Sequence, residues 1–429
     1  SNPDSLRHRQ HPIFQWTANN GVLVGIGNTD SYGGSHITIK TRPVETVMTS
    51  WAYLKEFPGP LSKAKTKKKD VEKWIEERAT NSSDAILWKV LGDFVAFDGD
   101  VTSPAFSRSI ASLLTPNIQY APVSDEVNFS MPSQMSAVRQ PNTPMNAHRL
   151  SGNNLAAFWS HLQSALTEKA LKLALDEGDW PLALLTAGMV SSERYASVAA
   201  AYIRMTFDRS YPDRLLAFIL HVTSGNVMNA ITQLTNSPAD LQWAIESWNE
   251  LVAVVLVNSS ASPMEFFVQF GALLVKNGYV VEGHVCFILA GVPLSETPLL
   301  SSGVKFQAVG SVLGNSVCSV LMSEVYEYGL ASSVANPHTL QLQVKHAGYL
   351  ADAGLFLEAQ KYVDGLNAIL KSYGKNVSPL TSFALRDFEA VSQRIVSGGS
   401  YDQGWFSGKL SKPNLDKMWG QLDKFIGGD

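Results

Sequence analysis

The hydrophobic period of this chain changes once, at Pro43, and that change limits the folds open to it. Before it stand three short apolar runs, Ile13–Trp16, Val22–Ile26 and His36–Lys40, each bounded by turn residues. Asn20-Gly21 is a tight-hairpin signal and Gly33-Gly34 breaks the second connection, so the runs predict a three-stranded antiparallel meander. After it, Val44, Val47, Met48, Trp51 and Leu54 recur at helical spacing, as do Ile86, Leu87, Val90, Leu91 and Phe94. Residues 121–146 carry Pro, Ser, Asn and Gln without an apolar period and read as a loop; helix signals then run almost to the end. The expected division is a β region over 1–42, first helices over 43–120, a loop over 121–149 and a helical block over 150–429.

The helical block carries a weak internal repeat. Gly178, Gly278 and Gly354 each precede a bulky residue, and a small residue follows five positions later: Ala183, Gly283 and Ala359. The glycine ends one helix in a left-handed cap, and the small residue lets the next helix approach its neighbour closely. The intervals are irregular, which predicts a mainly α fold, a divergent solenoid of stacked helical hairpins. Ser262-Pro-Met-Glu265 reads as a capping box that opens one of its helices.

The opening glycines raise the question of a nucleotide. Gly25-Ile-Gly27 is followed by Asn28-Thr-Asp30 and another strand, whereas a dinucleotide fingerprint needs a helix whose N-terminus meets the pyrophosphate. A turn in a meander is the better reading. His284 and Cys286 stand two apart on a helical stretch, where side chains diverge and cannot share a metal ion; a core Cys and a locally bonded His are expected. No catalytic motif appears, and no catalytic, cofactor-binding or metal-ligating residue is assigned. Lys63-Ala-Lys-Thr-Lys-Lys-Lys69 lacks interleaved aromatics and runs into Asp70 and Glu72, so it reads as a solvated helix start rather than a lipid or nucleic-acid patch.

The 34 Lys and Arg against 38 Asp and Glu leave a net charge of −4, which gives no global field toward nucleic acid or an acidic membrane. Two cysteines without a framework suit a reducing compartment, and no apolar run reaches the roughly 18 to 20 residues that span a bilayer. A cytosolic protein with at most peripheral membrane contact is expected. The opening Ser-Asn-Pro resembles an internal start, so further domains are expected beyond this sequence.

The meander is left unexplained by these arguments. Phe14 and Trp16, Leu23 opposite Val22, Val24 and Ile26, and Ile37 with Ile39 put apolar residues on both faces, and three strands leave two open edges. Either the chain's own helices cover it, or it completes a partner's sheet by strand addition.

The helical block resembles a known family. Gly271-x-x-Leu274-x-x-x-Gly278, continuing to His284-Val-Cys286-Phe287 and Ala290, is similar to the ancestral coatomer element of the large scaffold at endoplasmic-reticulum exit sites, Sec sixteen (Sec16). Glu177–Leu185, which holds Gly178 and Trp180, resembles that family's Gly-Asp-Trp turn. The helix from Trp248 to Asn258 and Glu324-Val-Tyr-Glu-Tyr328 resemble two further segments, in order, over about residues 150–375. One departure is Gly283, where relatives often carry Ala.

The resemblance implies a fold and a job. Members place a short β-blade ahead of a fold-back trunk, crown and tail, and insert it into the open propeller of the small coat subunit, Sec thirteen (Sec13). Ile13, Phe14, Trp16, Val22, Leu23, Val24, Ile26, Ile37 and Ile39 match that blade in place and order. It further implies pairing of two copies at the crown, giving two of each chain, contact with other coat proteins, and a non-catalytic scaffold role in COPII assembly on the cytosolic face of the endoplasmic reticulum. Related readings are the cage subunit Sec thirty-one and a nuclear-pore scaffold; a helical enzyme with dispersed catalytic residues is the reading from another class.

Overall fold

The computed structural model describes residues 13–16, 21–29, 35–43, 46, 48, 50–80, 84–120, 149–207, 211–258, 263–299, 302–314, 316–330, 336–373 and 378–398. Three strands open the chain: β1 (Ile13–Trp16), β2 (Gly21–Thr29) and β3 (Ser35–Pro43). They form one antiparallel sheet in the order β1-β2-β3. Two strands run longer than the apolar runs that announced them. Trp16 pairs with Val22, and Gly21 of the expected Asn20-Gly21 turn is the first residue of β2. Asn20 and the Gly33-Gly34 break lie outside the described residues, as do Val44, Val47 and the loop residues 121–148.

The chain then divides into two compact units that interleave in sequence: residues 1–99 with 293–429, and residues 100–292. This division by packing cuts differently from the division by composition.

In the first unit, α1 (Trp51–Glu56), α2 (Lys68–Ala79) and α3 (Ala85–Ala96) meet helices from the far end of the sequence. Those are α15 (Val317–Leu330), α16 (Pro337–Asp352), α17 (Phe356–Ser372) and α18 (Ser382–Gly398). α3 packs on α15 and α1 on α16. Leu87, Val90, Leu91 and Phe94 are fully buried on α3, the face that its period predicts. A small hairpin, β4 (Ser295–Pro298) with β5 (Lys305–Phe306), precedes α15. The expectation that β structure ends by residue 43 is corrected here. These strands are too short to show alternation, and buried Phe306, set 5.8 Å from the Tyr326 ring, anchors them instead.

The second unit is helical throughout its described residues: α4 (Pro104–Leu114), α5 (Gly152–Gln163), α6 (Thr167–Asp176), α7 (Trp180–Val190), α8 (Ser192–Thr206), α9 (Tyr211–Thr223), α10 (Val227–Leu234), α11 (Pro238–Glu246), α12 (Trp248–Asn258), α13 (Met264–Lys276) and α14 (Val280–Leu289). Helices α5 to α11 pack mostly on their sequence neighbours, as a solenoid requires. α12 departs from that order and packs on α4, α9 and α11, which buries Leu251, Val252, Ala253, Val255 and Leu256. A helix enclosed on several sides needs apolar residues all round, so its sequence shows little amphipathic period. Starts are fixed by side-chain caps: Asp179 accepts from the Leu182 amide, Ser191 from Arg194 and Ser237 from Asp240. α13 begins at Met264 with Pro263 in the cap position, one residue later than the expected capping box; Ser262 lies outside the described residues.

Candidate functional site: an open sheet and the turns that stack the helices

The sheet's register sorts its residues into two faces. Directly paired residues share a face in an antiparallel sheet. Phe14↔Val24↔Lys40 and Trp16↔Val22↔Arg42 therefore lie on one face, with Ile26↔Thr38. Ile13↔Gly25↔Ile39, Gln15↔Leu23↔Thr41 and Gly27↔Ile37 lie on the other. All nine residues expected in the blade are thus in strands, five on the first face and four on the second. Ile39 stays 58% exposed although it sits in the sheet, and Lys40 to Pro43 are exposed too. Among the described residues no fourth strand pairs with β1 or β3. Both edges present, among the described residues, unpaired backbone N–H and C=O groups, the arrangement that strand addition completes.

The helix-turn residues share one geometry. Gly178, Gly278 and Gly354 have φ of +65°, +90° and +74°. At each, the glycine N–H and the next N–H reach back to the preceding helix: Gly178 to Leu175 and Asp179 to Ala174, Gly278 to Val275 and Tyr279 to Leu274, Gly354 to Ala351 and Leu355 to Leu350. This double closure is the Schellman motif. Ala183 and Ala359 are fully buried.

Two copies escaped the sequence reading. Gly225 (φ +80°) closes α9 in the same way, with Ala230 buried five positions on, and it halves the interval between Gly178 and Gly278. Ala165 closes α5 with φ +57° and is followed by buried Ala170. Gly225-Asn-Val-Met hides the first because no aromatic residue stands within two positions of the glycine, as Trp180, Tyr279 and Phe356 do in the other three; the second has no glycine to find.

At the third turn the small residues let two backbones meet. A Cβ on Gly271 would lie 2.8 Å from the Gly283 carbonyl oxygen, and one on Gly283 would lie 2.7 Å from that of Gly271 and 2.5 Å from a Val275 methyl. Glycine at 283 is therefore required by contact in this chain, more than a small propensity cost would suggest. His284 is wholly buried beside the Phe287 ring, 5.8 Å between centroids, and burial drives its pKa down to about 3. Cys286 is also buried, and burial pushes its thiol far up. Trp180 is half-buried with its ring 5.8 Å from Tyr202, and Trp248 is half-buried at the first turn of α12.

The Glu324–Tyr328 segment is the buried joint of the first unit. Glu324 accepts from His346 Nδ1 at 2.5 Å and from the Tyr362 hydroxyl at 2.9 Å. The Tyr326 ring packs 5.0 Å from Phe94, and the Tyr328 hydroxyl donates to the Thr66 carbonyl. These contacts tie the N-terminal helices to α15 through α17. The Lys63–Lys69 run forms the approach to α2, where Lys63 and Lys68 pair with Asp98 at 3.4 and 3.0 Å on the surface.

Fold and site together define a helical-solenoid protein with an incomplete sheet. Comparison with known proteins gives its family. The family model described as the Sec16 Sec23-binding domain matches residues 158–429, and that of the vesicle coat trafficking protein Sec16 mid-region matches residues 11–99. The COPII coat assembly proteins SEC16 of Debaryomyces hansenii and Scheffersomyces stipitis are 36% and 34% identical over 100% of this chain, and that of Saccharomyces cerevisiae 30% over 99%. The chain spans about a fifth of the length of these relatives, 20% of each. The solved Sec13/Sec16 complex of S. cerevisiae superposes with a TM-score of 0.65 at 28% identity, covering 90% of this chain and 100% of that one. The chain belongs to the Sec16 family.

Proposed function

We propose that this chain is a non-catalytic scaffold segment for COPII coat assembly, and that β1 to β3 enter the open propeller of a Sec13-type subunit as its missing blade. The observation that carries the reading is a three-stranded sheet with apolar residues on both faces, two unpaired edges and Ile39 left largely exposed. A propeller closes by radial pairing of blades, which covers both faces of a small sheet at once. The superposition with a Sec13/Sec16 complex supports the same partner. By this reading the protein works at endoplasmic-reticulum exit sites on the cytosolic face, alongside other coat proteins. Among the described residues no helix is long and apolar enough to cross a membrane.

Pairing of two copies belongs to the same proposal. Leu185 and Met189 stand one turn apart on α7, 73% and 66% exposed, and Leu216 and Leu220 repeat that spacing on α9. Exposed apolar pairs of this kind on a helical stack favour a second copy as their cover. Co-expression with Sec13 followed by size exclusion with light scattering tests both parts. Two copies of each chain are expected, and a chain lacking residues 1–42 loses Sec13 while its helices keep their circular-dichroism signal. Full retention of Sec13 by that shortened chain overturns the blade assignment.

A further inference from the structure

The second unit holds a cavity of about 410 Å³ between α8, α9, α10 and α11, within the range of small-ligand and peptide pockets. Its charges do not cancel. Arg214 Nη2 lies 3.3 Å from Asp240 Oδ1, its guanidinium sits 5.6 Å from the Trp243 ring, and the second Asp240 oxygen accepts from the Ser237 hydroxyl at 2.7 Å. That pair is satisfied internally. Arg204 also lines the cavity, donates its Nε–H only to the Ala200 carbonyl of its own helix, and has no carboxylate partner among the described residues. One positive charge is left facing the space.

Two neutral groups there are also unmatched. His221 is only 3% exposed, and its Nδ1 finds no hydrogen-bond partner among the described residues. Burial and the neighbouring Arg204 charge lower its pKa, so the ring is neutral near pH 7. Gln233 Oε1 is buried and has no donor among the described residues. A buried acceptor without a donor costs free energy until something supplies an N–H or O–H. The ligand that suits the cavity thus carries an anionic oxygen for Arg204 and a donor for Gln233. An acidic residue in a peptide has both, a side-chain carboxylate and a backbone N–H. Phe207, Ala217 and Trp243 give a neighbouring apolar side chain a wall.

We propose that this cavity binds an acidic peptide segment of a partner protein, with an Asp or Glu carboxylate on Arg204 and a backbone N–H on Gln233. The site shares no residue with the sheet, so it is independent of the blade reading. The test titrates the full chain, with and without Sec13, into short fluorescein-labelled peptides in which one Glu is flanked by Leu or Phe, with Gln in place of Glu as controls. Anisotropy is expected to report binding by a subset of the Glu peptides, about tenfold weaker for their Gln controls, since a charge-assisted bond carries at least that factor. Arg204→Gln lowers affinity by about the same factor and flattens its salt dependence, whereas Gln233→Leu lowers affinity and leaves the salt dependence unchanged. Both variants keep Sec13 and the wild-type melting temperature. The proposal is overturned if no Glu peptide binds, if the Gln controls bind as well, or if Arg204→Gln leaves affinity unchanged. It is equally overturned if inorganic phosphate competes at the concentration that the peptides need, which would make the cavity a simple anion site.

Discussion

Ala165 holds a left-handed conformation, φ +57°, in a turn that at Gly178, Gly225, Gly278 and Gly354 is given to glycine. A Cβ in that region costs roughly 1–2 kcal/mol, and glycine's extra freedom in the unfolded chain returns part of it. Ala165→Gly is therefore expected to stabilise by about 0.5–1 kcal/mol, read as a higher urea midpoint with an unchanged slope. Gly271 is the opposite case. Its Cβ would meet the Gly283 carbonyl, the Phe287 ring and Cys286, all within 3 Å, so Gly271→Ala gains helix propensity and still destabilises, by about 1–3 kcal/mol of overpacking. A variant as stable as the parent would show that α13 and α14 can move apart at little cost. His284 sets a pH dependence. Its pKa falls from the usual 6.5 to about 3 on burial, so the folded protein stays unprotonated there while the unfolded chain takes up a proton. The contribution is whole above about pH 6.5 and is lost as pH falls toward 3, by about 1.4 kcal/mol per pH unit. His284→Gln should remove that slope from denaturation midpoints measured between pH 6.5 and 4.5, and a variant with the parent's slope would contradict the neutral buried ring.

At the scale of elements, the register of the sheet turns a list of apolar residues into a prediction with sides. Trp16 and Val24 share a face although they stand on different strands, because Trp16 pairs with Val22, two positions before Val24 on β2. Trp16→Asp and Val24→Asp should each weaken Sec13 capture by several kcal/mol, the cost of burying a carboxylate without a partner, and isothermal titration would read it. Wild-type affinity in both would place that face in solvent. The three strands were legible in the sequence because alternation and flanking turn residues are local signals. The turns at Gly178, Gly278 and Gly354 were legible too, since only a left-handed residue closes a helix in that way. Ala165 was not: the same backbone stands there without the glycine that marks the other turns. α12 and α14 were read as helices, yet their enclosure could not be seen, because uniformly apolar helices carry no face. The cavity near Arg204 was invisible for a related reason. Its polar groups come from four helices with no common spacing, and the signal that marks them, a buried Gln233 oxygen with no donor among the described residues, exists only once the chain is folded.

For the molecule as a whole, the interleaving of its units decides what a truncation does. Helices α1 to α3 come from residues 51–96 but complete a core whose other half lies beyond residue 293. Phe94 rests on Tyr326, and Gly329 lacks a side chain where Phe94 seats, 2.5 Å from any Cβ it would carry. Phe57 meets both the Trp74 ring at 4.9 Å and the His346 ring at 5.2 Å, directly above the Glu324–His346–Tyr362 hydrogen bonds. Removing residues 1–99 would thus uncover the Tyr326 ring and the Gly329 backbone on α15 and the His346 ring on α16. The loss is a large share of the marginal stability of a domain, roughly 5–15 kcal/mol, since each large apolar side chain brought into solvent costs roughly 1.5–3 kcal/mol. Amide hydrogen exchange on a 100–429 fragment is expected to show α15 and α16 exchanging rapidly. Helices α13 and α14, whose Gly271–Gly283 contact lies within the second unit, should keep their protection. Removal of residues 1–42 alone should leave both sets protected, because the helical contacts of the first unit begin at α1. Equal protection of α15 in the 100–429 fragment would mean that the far-end helices form a core without their N-terminal partners, and that the chain's return on itself is dispensable for stability.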